Sequence, residues 1–173
     1  MATEANNDPL DRDYGTGAAG QYLTFMLAGE EYGVEILKVQ EIKGWDRATP
    51  IPNAPDYVLG VLNLRGAVVP IIDLRCRFGI ERIPYGATTV VIVVKMESEK
   101  QERTVGMVVD GVAAVYKLED SDIQPPPEMG VSAHTEFVGG LATVQEKMVI
   151  LLEVDRLVDF DSFQSAPGQA SAA

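Results

Sequence analysis

A chain of 173 residues, 46% apolar and 23% charged, can bury one compact domain or two small fused barrels. Its 26 acidic residues against 14 basic ones give a net charge of −12, a surface that repels nucleic acid and anionic lipid and points to proteins as partners. No run nears the roughly 20 apolar residues of a membrane span, and Cys76 has no second cysteine to pair with, so a cytoplasmic protein without direct membrane insertion is expected.

Residues 1–20 are polar and rich in Ala and Gly, without the basic and apolar regions of a signal peptide, and are expected to be a disordered leader. From Gln21 to Ala28, Tyr22, Thr24 and Met26 alternate with Leu23, Phe25 and Leu27, a strand covered on both faces. Gly29-Glu30-Glu31 reads as a turn, and Tyr32 to Ile36 alternates back. Ile36 and Val39 cannot share one face of a flat strand, which predicts a bulge or break near Leu37-Lys38. A short helix from Glu35 to Ile42 is the competing reading.

Pro50, Pro52 and Pro55 mark an extended loop. Gly60 to Leu74 then reads as strand, tight turn at Asn63-Leu64-Arg65-Gly66, and second strand from Ala67. Thr88 to Met96 is a β-branched run expected to be buried on both faces. The charged loop Glu97 to Arg103 turns it round into Val105 to Val109, and Asp110-Gly111 is a turn dipeptide tolerant of positive φ. Beyond the prolines at 125 to 127, Val154, Leu157 and Val158 sit at helical spacing, predicting a short C-terminal helix from Val154 to Phe160. Residues 162–173 are expected to be a disordered tail. Ten or so short strands with regular turn signals argue for an all-β fold of barrels.

The chain also repeats itself. At an offset of eighty, Gly60 to Leu74 aligns with Gly140 to Val154 without a gap, placing Asp73 on Glu153. Asp56-Tyr57-Val58 falls on Glu136-Phe137-Val138. At an offset of seventy-three, Tyr32-Gly33-Val34 matches Val105-Gly106-Met107, and Val39 and Ile42 match Val112 and Val115. The offset changes in a loop, where insertions are tolerated. Two similar small β units in tandem are expected.

Catalytic chemistry is thin. His134 is the single histidine, so a transition-metal site is not expected, and no phosphate cradle or nucleophile elbow occurs. Asp73 and Glu153 form a carboxylate pair only if the repeat brings them together; each also fits a strand end that satisfies local backbone donors. Cys76 lies between Arg75 and Arg77, which favours thiolate, but it fits a half-buried structural position equally. No catalytic residue, metal or cofactor is assigned, and a binding module is the reading.

The segments EEYGVEILKVQEI, VLGVLNLRGAVVPIIDLR, TVVIV, VGMVVDGV and MVILLEVDRLV together resemble the CheW family, the coupling proteins of bacterial chemotaxis. The resemblance runs from about Gln21 to Asp159 and implies a CheW-like domain over residues 21–161. It implies two tandem SH3-like five-stranded β-barrels packed together, built from two pseudo-repeated subdomains able to exchange strands. It further implies an adaptor, not an enzyme, that couples transmembrane chemoreceptors to the histidine kinase CheA. The partners so implied are the kinase's regulatory domain, the receptor's cytoplasmic tip and other copies in rings, gathered at the inner face of the membrane.

Family positions fall on Val39, Glu41, Gly60, Arg65, Gly66 and Val115. Glu41 and Gly60, with Asn63 beside them, are expected to face the kinase, and Val39, Arg65, Gly66 and Val115 the receptor. Val39 and Val115 are nearly repeat-related and are expected to face each other across an apolar groove. The alternatives are a CheW-like regulatory domain of a CheA- or CheV-type protein and, from another class, a small carboxylate-dependent hydrolase.

Overall fold

The computed structural model describes residues 20–97, 102–126 and 135–158. The expected leader as far as residue 19, the tip of the charged loop, His134 and the expected tail lie outside the described residues. Alternating and β-branched segments form eleven strands among the described residues: β1 (Gln21–Leu27), β2 (Glu30–Glu35), β3 (Val39–Gly44), β4 (Val58–Leu64), β5 (Ala67–Asp73), β6 (Val90–Glu97), β7 (Glu102–Val109), β8 (Gly111–Lys117), β9 (Ile123–Gln124), β10 (Val138–Val144) and β11 (Lys147–Leu152). They make two sheets, one in the order β8-β1-β2-β11-β10-β9 and one in the order β3-β6-β7-β5-β4. The fold is all-β, two packed barrels.

The repeat is present in the hydrogen bonding. Gly60 pairs with Ile71 and Gly140 with Leu151, each after a register shift at the same place. The Asp73 N–H donates to the Tyr57 carbonyl, as the Glu153 N–H donates to that of Phe137. Leu23 faces Val34 as Ile92 faces Met107, so β1 corresponds to β6 at an offset of sixty-nine. The halves are interleaved. β5 pairs in parallel with β7 and β11 with β2, so each hairpin joins a sheet begun by strands of the other half.

The interleaving needs two crossings between barrels. One is the expected break, a 3-10 turn at Ile36–Lys38 between β2 and β3. The other is Asp110, and here the structure corrects the sequence: Asp110-Gly111 is no hairpin turn, because β7 and β8 lie in different sheets. The β1–β2 hairpin turns one residue earlier than expected, at Ala28 (φ 55°) and Gly29 (φ 83°). Leu74 leaves β5 to open α1 (Leu74–Arg77), a single turn that the sequence did not announce, capped by Asp73 accepting from the Cys76 N–H at 3.2 Å.

The C-terminal helix proves to be one 3-10 turn, Val154–Arg156, followed by buried Leu157 and Val158. Residues 159 and 160 lie outside the described residues. The turn is held from outside its own ladder: Asp155 accepts from the Glu97 N–H at 2.8 Å, and the Leu157 carbonyl accepts from Arg77.

Among the described residues, three apolar cores follow from strand alternation. Leu23, Phe25, Ile72, Ile92, Val94 and Leu152 meet between the sheets. On the opposite faces, Leu62, Val69, Ile71 and Val93 fill the five-stranded barrel, and Ala142, Val149 and Leu151 the six-stranded one. Fully burying such a side chain is worth roughly 1.5–3 kcal/mol, so the shared central core resists separation of the barrels.

Two polar clasps sit beside that core. Arg75 donates bidentately to Asp110 at 2.9 and 2.7 Å, and Asp110 also accepts from the Ala28 N–H at 2.8 Å. Across the repeat, Asp155 accepts from the Glu97 N–H and from Lys38, and Lys38 also reaches Glu97 at 3.2 Å. Asp155 is the repeat mate of Arg75, and Glu97 that of Ala28. The Arg75 hydrogen bonds hold the Asp110 carboxyl below its usual range despite burial, helped by the Ala28 N–H. Burial works against the Lys38 ammonium, but Glu97 and Asp155 outweigh it and raise its pKa.

Candidate functional site

The β4–β5 hairpin closes through a two-residue loop in which Arg65 (φ 55°) and Gly66 (φ 87°) both take positive φ, the geometry that matches strand twist in tight hairpins. Asn63 Oδ1 accepts from the Gly66 N–H at 2.9 Å, so that side chain serves the turn. The loop carries the Arg65 side chain out with 85% of its area exposed, yet within 2.9 Å of Glu41. Glu41 projects from edge strand β3, just past the register shift between Val39 and Glu41 in the pairing with β6. Such an exposed pair adds about 0–1 kcal/mol to stability. Its effect is to fix the direction of two charged groups.

Behind the pair opens a pocket of about 380 Å³, with Val69, Val93 and Leu64 in its floor and walls and Gln40, Glu41 and Arg65 at its rim. An apolar floor with a charged rim suits a protein side chain with a polar flank. The expected division of Glu41 and Arg65 between two partners therefore meets a single patch.

Gly60 is placed differently. It is buried in β4 with φ 145°, and a Cβ there would lie 2.0 Å from the Thr49 carbonyl oxygen. Thr49 and Val61 exchange two backbone hydrogen bonds, at 2.9 and 2.8 Å, across this contact. Gly60 offers no surface to a partner; it admits the loop that closes the barrel. Val39 is half-buried and packs against the central core, whereas Val115 is 54% exposed on β8 of the other sheet. Neither lines the pocket.

The sequence reading missed the exposed apolar side chains Ile42, Val68, Val112 and Met148. The signal was available, because Ile42 is the repeat mate of Val115 and Val68 that of Met148. Each barrel thus presents the same two exposed apolar positions. Asp73, expected to end a strand and satisfy local backbone donors, does so: it is 1% exposed and caps α1, and it also accepts from the Tyr85 hydroxyl at 2.5 Å, a contact the sequence did not announce. Burial, then that hydrogen bond, pushes the Tyr85 phenol well above its usual range. Glu153 is exposed and caps nothing with its side chain. Cys76 has the Arg82 guanidinium 3.5 Å from its sulfur, while Arg75 and Arg77 point elsewhere.

Two interleaved barrels bearing exposed apolar patches and a charged hairpin tip define a protein-docking module. The model of the CheW-like domain matches residues 21–161. The chain is 47% identical over 138 residues to the chemotaxis protein CheW of Klebsiella aerogenes, covering 80% of this chain and 81% of that protein. It is 36% identical over 151 residues to CheW of Rhizobium meliloti, covering 87% and 95%. The crystal structure of the scaffolding protein TtCheW from Thermoanaerobacter tengcongensis superposes with a TM-score of 0.73 at 33% identity, covering 82% of this chain and 88% of that one. The chain belongs to the CheW family and is a chemotaxis scaffold, not an enzyme.

Proposed function

We propose that this chain is the adaptor that couples transmembrane chemoreceptors to a CheA-type histidine kinase in signalling arrays, by binding alone. Membership of the CheW family supports the reading, and the observation that carries it to a surface is the Glu41–Arg65 pair at the mouth of the five-stranded barrel. Glu41, Arg65 and the Asn63–Gly66 turn act together as one docking edge. Val115 and Ile42 add apolar contact on β8 and β3, and Val39 and Gly60 act by holding the strands beneath. Further copies of the chain dock in the same manner. The described residues contain no helix long and apolar enough to cross a membrane. Binding to the receptors recruits the adaptor to the inner face of the membrane.

Receptor-bearing membranes, the kinase and this chain, mixed in pairs and together, test the proposal. Kinase sedimentation and phosphotransfer that rise only with all three support it. Equal kinase recruitment without the chain refutes it.

A further inference from the structure

We infer that Arg77 sets the orientation of the two barrels and is a positioning residue for any partner that touches both. Arg77 ends α1, directly after β5. Its guanidinium carbon lies over two rings, 4.6 Å from the centroid of Tyr57 and 4.5 Å from that of Phe137. Those residues are repeat mates, each lying just before its hairpin. Its Nε donates to the Leu157 carbonyl at 2.5 Å, and Leu157 is the repeat mate of Arg77 itself.

Points related by a two-fold have their midpoint on the axis. The Arg77 guanidinium, within 4.6 Å of both rings, lies no farther than that from their midpoint, and it is bonded to its own mate, so it occupies the pseudo-two-fold seam. One guanidinium fits there; the other half supplies fully buried Leu157. Phe137 continues the contact by stacking on Phe78 at 5.3 Å, and Phe78 meets Tyr32 of β2 at 5.6 Å.

Apolar burial in the central core favours contact but not direction, because it is non-directional. A planar cation over two ring faces, tied by one hydrogen bond, has a defined geometry that lysine or leucine does not reproduce. The inference about geometry stands on the fold alone; its consequence for docking rests on the adaptor reading.

Spin labels at Lys43→Cys on β3 and Lys117→Cys on β8, in a Cys76→Ser background, report the interbarrel distance by pulsed dipolar spectroscopy without any partner. The unsubstituted seam should give one narrow distribution. Arg77→Leu should at least double its width or move its centre, and Arg77→Lys should fall between. Val69→Ala, which damages only the core of the five-stranded barrel, should melt earlier yet keep the narrow distribution. Either of two results overturns the inference: a folded Arg77→Leu or Arg77→Lys protein with the unsubstituted distribution, or broadening by Val69→Ala to the same extent. A broadened distribution with receptor and kinase binding unchanged would refute the consequence for docking and leave the geometric inference standing.

Discussion

Gly60→Ala should destabilise this protein severely while its repeat mate tolerates the same change. The added Cβ would stand 2.0 Å from the Thr49 oxygen, 2.5 Å from its carbonyl carbon and 2.9 Å from the Pro50 nitrogen, all backbone atoms. The φ of 145° adds strain of about 1–3 kcal/mol for a residue other than glycine. If the Thr49 segment withdraws, its two hydrogen bonds to Val61 go with it, at about 1 kcal/mol each. The total is about 3–5 kcal/mol, and at about 3 °C per kcal/mol for a domain of this size the melting temperature should fall by about 9–15 °C. At Gly140 the new Cβ meets the branch methyl Cγ2 of Ile123 at 2.8 Å and the Gln124 oxygen at 3.1 Å, so one side chain and not a backbone segment must shift most, with no strained φ. Gly140→Ala should cost about 1 kcal/mol. Differential scanning calorimetry of both variants decides the matter. A Gly60→Ala protein melting within two or three degrees of the unsubstituted one would refute the close-approach role and return Gly60 to the docking surface.

Arg65→Glu should leave the melt nearly unchanged, since an exposed pair is worth about 0–1 kcal/mol, yet weaken partner capture at least tenfold; a melt lowered by more than about 5 °C would make the pair structural instead. Asp110 has a depressed folded pKa, so its stabilisation is present above the unfolded value near 3.8 and disappears as pH falls through the folded one. Asp110→Asn should accordingly destabilise at neutral pH and flatten the acid limb of a urea-midpoint-against-pH curve. Glu35 is shifted the other way, by burial first, with Lys38 relieving and Glu153, Asp155 and Glu97 aggravating it. Its contribution is therefore favourable below the unfolded pKa and lost as pH rises through the folded one, so Glu35→Gln should raise the urea midpoint at pH 7 and not at pH 3.

The local elements were legible because each has a chemical cause within a few residues. Arg65-Gly66 was readable as a turn, the Thr88–Met96 run as a doubly buried strand, and Leu37-Lys38 as a break. Gly60 and Gly140 disclosed the repeat. What periodicity could not disclose is which half supplies the neighbour of a strand: β5 alternates in the same way whether it pairs with β2 or β7. Asp110-Gly111 was misread for the same reason, since a residue pair fit for a hairpin turn also serves a corner between sheets. At the candidate site, Arg65 and Glu41 were both found, but not their contact, which spans strands brought together by the barrel. Val39 and Val115 do not face each other, because their repeat mates are Val112 and Ile42 and because β3 and β8 are edge strands of different sheets.

The seam also bears on how a duplicated chain keeps its own halves together. The two clasps occupy equivalent places with their charges inverted: Arg75 meets Asp110 in one, and Asp155 meets Lys38 in the other. Lys38 lies one residue past the repeat mate of Asp110. Were two first halves to pair, as in an exchange between copies, Arg75 would face Lys38. Two second halves would set Asp155 against Asp110. Like charges so placed, next to a core that desolvates them, are unfavourable, and discrimination of this kind comes from what the wrong pairing leaves repelling or unpaired. Arg77 repeats the logic without charge inversion, since two arginines would compete for one space between the rings and two leucines would leave a carbonyl without its donor. The sheets can therefore share strands between halves and still assemble in one arrangement, first half with second.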